Sequence, residues 1–505
     1  MADSVPMGEG AAAGPMASKV RAARDQPLLL VILQNPLVIC VLLTLFEMIT
    51  LLPAAKPFFL ALAGLTCLGV LLRPALGTWV MVILLVLQSP APGFQGTELM
   101  FKSFDFELGV NWYTLKLGGP ALVHWLVLFL ALANFRAVVT ELRRLKLATG
   151  LEKKFVMGLS FMILVGLVMG LLFHYDWYRY TVEFQAVVYL MVIYFILAIE
   201  PEYKKFARRW IFYTMPIGGA LYIMFTVFAA DSIPMFATRF DVIDYYVLVG
   251  LMGSVLLSSS LTGLNLVEVW VTRLVLGAFL LVTLRQWGAI SYAAMAILFI
   301  YFLLFRRRSG FALFKSMAIG LTGLVFVASI SYYWVVVKQD PWATMKTNQI
   351  ADLLSGGSDT EEMQQSTRVR VIEFQNITYE GMVNPAKGLL GTGFGGYFTD
   401  SEYEFNELNP TDFSEDQISG HQYYAPHNNP NWILLKFGWM GAGFMGWFVL
   451  MLWKNSLSPS VHHVNQAILF LAGLNVIFMF GYGLKNSFLI ALMLVLTLRN
   501  EGLKA

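Results

Sequence analysis

"LEKKFVMGLSFMILVGLVMGLLFH", residues 151–174, sets Lys153 and Lys154 against a run from 155 to 173 that carries no ionisable side chain. The hydrocarbon core of a bilayer is about 30 Å thick and takes about 20 apolar helical residues to cross. Inside it every backbone N–H and C=O needs a partner, which a helix supplies within itself. The run has no polar face with which to meet water, so it reads as a membrane-spanning helix with a basic flank at one end.

The same pattern recurs along the chain. Hydrophobic residues make up 57% of the 505 and charged residues 13%, about half the charge a soluble domain uses to cover itself. Thirteen Trp, 39 Phe and 21 Tyr suit a surface facing lipid and headgroups. Apolar runs near 28–52, 54–72, 75–92, 117–135, 155–174, 186–199, 210–229, 243–261, 267–284, 288–305, 312–337, 430–453, 463–481 and 486–498 predict an all-α polytopic membrane protein of about fourteen spans. Basic residues crowd 136–154 and 200–209, and "RRR" stands at 306–308. Counting spans puts all three on the face of the N-terminus, which the positive-inside rule makes cytoplasmic. Residues 1–27 are then a cytoplasmic tail, 28–337 helices with short loops, 338–429 one long outer-face loop rich in acidic residues, and 430–505 the last helices with a short tail. Ordered loops of that length tend to be functional, so short helices folding back over the membrane are expected there.

Cys40 and Cys67 lie inside apolar runs and form no metal or disulfide pattern. A net charge of +3 is too small to suggest nucleic acid. No internal repeat is visible, which counts against transporters built from two related halves. "GTGFGG" at 391–396 matches a dinucleotide-binding pattern only literally, since it follows no strand; its glycines are expected to make turns. His421 and His427 are six apart, which is no recognised metal spacing.

The expected outer helix ends gather ionisable groups. Arg285 sits in the tight turn between two apolar runs, Arg368 and Arg370 open a helical segment in "STRVRVIEF", and Arg239 and Arg179 lie on shorter outer loops. A lone outer Arg often only snorkels to the headgroups. Arg285 is harder to explain that way, because a turn that would accept Ser or Asn holds a guanidinium, the fork of donors that grips phosphate. In "APHNNPNWILLKFGWMG", 425–441, Asn428, Asn429 and Pro430 suit a helix start. They leave His427 unexplained, and its imidazole suits a general base at a sugar hydroxyl.

Three ordered elements resemble the bacterial O-antigen ligases and O-antigen or exopolysaccharide polymerases. "TLRQWGAI" resembles that family's Thr-x-Ser-Arg-Gly-Ala turn; "STRVRVIEF" with "NPAKGLLGTGFGGYF" resembles its Ser-Arg loop helix and glycine-rich sequel; "APHNNPNWILLKFGWMGAGF" resembles its His-Asn entry into a late membrane helix. The match covers the C-terminal half. Gly is displaced to Gly288, and Lys436 replaces the usual Glu after His-Asn. The resemblance implies a C-type glycosyltransferase fold in the bacterial inner membrane with the long loop 338–429 in the periplasm, an inverting transfer without cofactor or metal, and a glycan on undecaprenyl pyrophosphate as donor. It maps the family's paired arginines onto Arg285 and Arg368 and its histidine onto His427. Arg370, Arg239 and Asn428 join Arg285 and Arg368 as expected substrate-binding residues. The acceptor would be a glycan or lipid-linked sugar hydroxyl, and the partners membrane lipid, a chain-length regulator and a flippase. Polymerase is favoured over a ligase to lipid A-core. A transporter or glycan flippase is the rival from another class, for which Glu47, Glu268 and Arg273 inside apolar runs would mark a pathway.

Overall fold

The computed structural model describes residues 28–50, 54–88, 110–147, 150–173, 177–197, 204–229, 265–283, 332–339, 365–405, 413–457, 463–480 and 484–498, with a few single positions besides. Numbered among these residues, the first helices are α1 (Leu28–Leu33), α2 (Pro36–Thr50), α3 (Ala55–Leu72), α4 (Pro74–Leu87), α5 (Leu122–Ala133) and α6 (Phe135–Leu147). α7 (Leu151–Leu172), α8 (Trp177–Leu197), α9 (Lys204–Arg209), α10 (Met215–Ala229) and α11 (Leu266–Thr283) follow. After them come α12 (Gln365–Val383), α13 (Pro385–Leu390), α14 (Glu415–Gly420), α15 (Asn429–Ser456), α16 (His463–Met479) and α17 (Leu484–Leu498). Among the described residues pairing between extended segments is confined to two isolated bridges, Lys116 with Ala121 and Phe398 with Tyr423.

α7 shows why these are membrane helices. Phe155, Leu159, Met162, Gly166 and Met169 form one buried stripe at helical spacing. Met157, Phe161, Leu164, Val168 and Leu171 form the opposite stripe, exposed yet wholly apolar. Water would penalise that outer stripe, whereas lipid accepts it. α3, α7, α8 and α15 are each long and apolar enough to cross a bilayer, and α5 with α6 makes a fifth crossing if the bent pair is counted as one. Shorter apolar helices fill the bundle, among them α17, which is buried from Asn486 to its end. The protein is a multi-pass, all-helical membrane protein. Nearly all of 243–261, 288–305 and 312–331 lies outside the described residues.

Several boundaries differ from expectation for local reasons. The span expected over 28–52 breaks after Leu33, because Pro36 lacks an N–H and disfavours helix at Asn35; the Asn35 Oδ1 accepts the Leu37 N–H at 3.0 Å instead. The basic stretch after 135, expected as loop, is the helix α6, turned 70° from α5 at Asn134. The chain from 204 to 229 is helical through a wide π turn at Trp210–Thr214. Charges that suggested a pathway have local partners: Glu47 accepts from the Tyr222 hydroxyl at 3.2 Å, Glu268 pairs with Arg209, and Arg273 lies 5.0 Å over the Trp270 ring.

Candidate functional site

α15 opens as its sequence demands. The first N–H groups of a helix have no partner within it. Asn428 is extended, and its Oδ1 accepts the Asn431 N–H at 2.8 Å, so it is the N-cap. Asn429 turns its amide to the Val476 and Ile477 carbonyls of α16 at 3.1 and 2.8 Å, tying two helices together.

His427 stands one residue before that cap, facing α12. Val369, Ile372, Glu373, Asn376 and Ile377 make a buried stripe on α12 at i, i+3, i+4, i+7 and i+8. Glu373 is its charged member. Its carboxylate accepts the His427 backbone N–H at 2.9 and 3.1 Å, the His427 Nδ1–H at 2.6 Å and the Asn431 amide at 3.3 Å. A buried carboxylate is tolerable only with such donors around it. Binding Nδ1 to the carboxylate makes Nε2 the basic nitrogen of the neutral ring. Phe413 packs against the ring at 4.7 Å, edge to face. The histidine side chain is 23% exposed while Glu373 is 0% exposed, so of the two the imidazole is the member that a ligand could reach. A fixed imidazole backed by a buried carboxylate can move a proton.

The glycine-rich stretch 391–396 wedges between α7 and α15. Gly438 has φ of +60° and breaks the α15 ladder, which releases the carbonyls of the preceding turn. Thr392 N–H takes the Leu435 carbonyl at 2.7 Å and Gly393 N–H the Lys436 carbonyl at 3.0 Å, while Phe394 N–H binds the Gly166 carbonyl of α7 at 3.0 Å. A broken membrane helix is tolerated where neighbours satisfy the freed groups. Gly393 has φ of +78°, and a Cβ there would collide with the α7 backbone, so the stretch serves close approach as well as turning. An ion pair locks it: the fully buried Lys436 ammonium lies 2.7 Å from Glu183 and donates to the Gly396 carbonyl, and Glu183 accepts the Gly395 N–H at 2.7 Å. Arg179, in the first turn of α8, stacks 4.0 Å over the Tyr424 ring. The start of α8 and the segment leading to His427 therefore meet at one end of the bundle.

His427 and Asn428 converge with Glu373. Arg370 joins through its backbone, whose carbonyl accepts the Asn431 amide at 3.0 Å. Helical geometry sets the Arg370 side chain roughly 60° around α12 from Glu373 and Arg368 roughly 140° around the other way. Both are half-buried and flank the buried stripe. Arg285 and Arg239 lie outside the described residues. The reading from sequence missed Glu373, Glu183 and the role of Lys436. A signal existed for each: Glu373 falls on the apolar stripe of its own helix, and Glu183 and Lys436 are lone charges in apolar surroundings, which require partners.

His421 has a carboxylate of its own, with Nδ1 2.8 Å from Asp400. Asp400 also accepts the Tyr423 hydroxyl at 3.0 Å. Burial, and then this bond, push the Tyr423 phenol well above the ordinary tyrosine range. No family model matches this chain, and no curated protein or solved structure is significantly similar to it.

Proposed function

We propose that the protein is a membrane-embedded inverting glycosyltransferase that transfers glycan repeat units from undecaprenyl pyrophosphate to a sugar hydroxyl at the periplasmic membrane face, as a polysaccharide polymerase. The observation that carries the reading is the Glu373–His427 pair at the mouth of an apolar helix, on a helix that also bears Arg368 and Arg370. A lipid-borne headgroup and a water-borne sugar can meet at such a boundary. The ordered resemblance of the three C-terminal motifs supports the same chemistry.

In the proposed step the acceptor O–H gives its proton to His427 Nε2 as its oxygen bonds to the anomeric carbon of the donor. The bond from that carbon to the pyrophosphate oxygen breaks on the opposite side, and its electron pair leaves with the lipid pyrophosphate. Glu373 holds the ring in the required tautomer and stabilises the imidazolium. Arg368 and Arg285 receive the growing phosphate charge, with Arg370 a second candidate on α12. Loss of a general base of this kind lowers rates about 10²- to 10⁴-fold.

The test supplies purified wild-type and His427→Ala, Arg368→Ala and Arg285→Ala proteins in nanodiscs with lipid-pyrophosphate-linked repeat units and reads polymer length. The wild type is expected to build chains and the variants to stall. Equal chain growth in all four would refute the proposal. A gene deletion that leaves bare core and finished chains stranded on the carrier, rather than single repeats, would reassign the same chemistry to a ligase.

A further inference from the structure

A cavity of about 210 Å³ lies at the elbow where α5 turns into α6, lined by Thr78, Trp79, Asn134, Arg136, Ala137 and Ile196 among others. It belongs to the end of the bundle away from His427. Glu152 at the start of α7 binds Arg144 of α6 at 2.7 Å, whereas the glycine stretch that leads toward His427 binds α7 near its other end, at Gly166. The 22 residues of α7 separate those ends by about 33 Å.

The cations around this elbow divide into two kinds. Arg144 is held by Glu141 and Glu152. Arg136, which lines the cavity, and Arg73, which precedes Pro74 of its wall, are exposed and have no carboxylate partner among the described residues. Among the described residues, two guanidinium groups at a membrane boundary lack a carboxylate beside them in a chain poor in charge. Around them the sequence is apolar: Leu71, Leu72, Leu132 and Phe135, each within three residues of a lining position, are all exposed. The volume exceeds several times the roughly 30 Å³ that one water occupies in the liquid. The combination calls for a ligand with an anionic head of phosphate chemistry and an apolar tail.

We infer that the elbow cavity seats the headgroup of an anionic bilayer phospholipid, its phosphate held by Arg73 and Arg136 and its acyl chains lying along Leu71, Leu72 and Leu132. Guanidinium binds phosphate as a fork, the Thr78 hydroxyl, which accepts the Asn134 amide at 3.2 Å, offers a polar contact within the cavity, and α6, turned out of the α5 axis, forms one wall. The inference does not rest on the proposed transferase activity.

The experiment counts phospholipid retained by the full-length protein in native mass spectrometry after incubation with phosphatidylglycerol, with phosphatidylcholine, or with phosphatidylglycerol plus millimolar inorganic phosphate. The wild type is expected to retain phosphatidylglycerol over phosphatidylcholine, and inorganic phosphate is not expected to displace it. Arg73→Gln with Arg136→Gln should lower retention about tenfold. Ala137→Trp, which fills the cavity and keeps both charges, should lower it similarly. Arg143→Gln, on α6 but outside the lining, should leave it intact. An equal loss in Arg143→Gln would reduce the site to diffuse surface charge and overturn the inference. Unchanged retention in either cavity variant, or displacement by inorganic phosphate, would overturn it as well.

Discussion

His427 and His421 lie six residues apart, and each sets Nδ1 against a carboxylate, at 2.6 and 2.8 Å. The two pairs differ in enclosure. Glu373 is fully buried and His427 is 23% exposed, whereas Asp400 is 6% and His421 70% exposed. His421 also adopts left-handed backbone, φ of +49°, at the end of a single helical turn. A pair so solvated adds at most about 1 kcal/mol to stability. An enclosed ring with a fixed tautomer can take a proton only from a group set against its Nε2. The same pairing of imidazole with carboxylate thus makes a surface tie in one place and a candidate base in the other, and the packing of α12 and Phe413 separates them.

The sharpest way to break that comparison is kinetic. Glu373→Gln and His427→Ala should each lower transfer about 10²- to 10⁴-fold, while Asp400→Asn and His421→Ala should change it by less than about threefold, read as initial rates per folded protein. A comparable loss in His421→Ala would erase the distinction. The next largest effect concerns stability and extends the comparison to Glu183 and Lys436, a pair enclosed on both sides. Removing either partner should destabilise the fold by about 3–5 kcal/mol, whereas joint replacement by Leu and Met should recover most of it, measured by thermal unfolding in detergent. Asn428→Ala should cost about 1 kcal/mol through the lost cap, with Asn428→Ser close to wild type. If the rate per folded molecule falls as well, Asn428 touches substrate and its role is more than capping.

The smallest effect is on alkaline stability. Tyr423 keeps its proton in the folded protein beyond the usual range, because burial and the bond to Asp400 favour the neutral phenol. Its contribution is therefore complete below about pH 10 and is lost as pH rises further, since the unfolded chain then releases a proton that the folded one retains. Tyr423→Phe should flatten that alkaline decline in a melting-temperature series and lower the neutral-range melting temperature modestly, through the hydrogen bond lost to Asp400.

What could be read along the chain is what a helix decides within itself. A run without charge across 155–173 must satisfy its own backbone in lipid, so its helicity and membrane placement follow from that segment alone. The Asn428 cap and the break before Pro36 are equally local, each settled within three or four residues. Lone charges at 183 and 436 announced that partners must exist, because an unpaired ion is costly in an apolar bundle. Which partner each one has is a matter of three-dimensional approach. Glu373 meets His427, and the stretch at 391–396 threads a broken turn of α15, only because α7, α12 and α15 pack in one order; no periodicity along the chain encodes distances between segments so far apart.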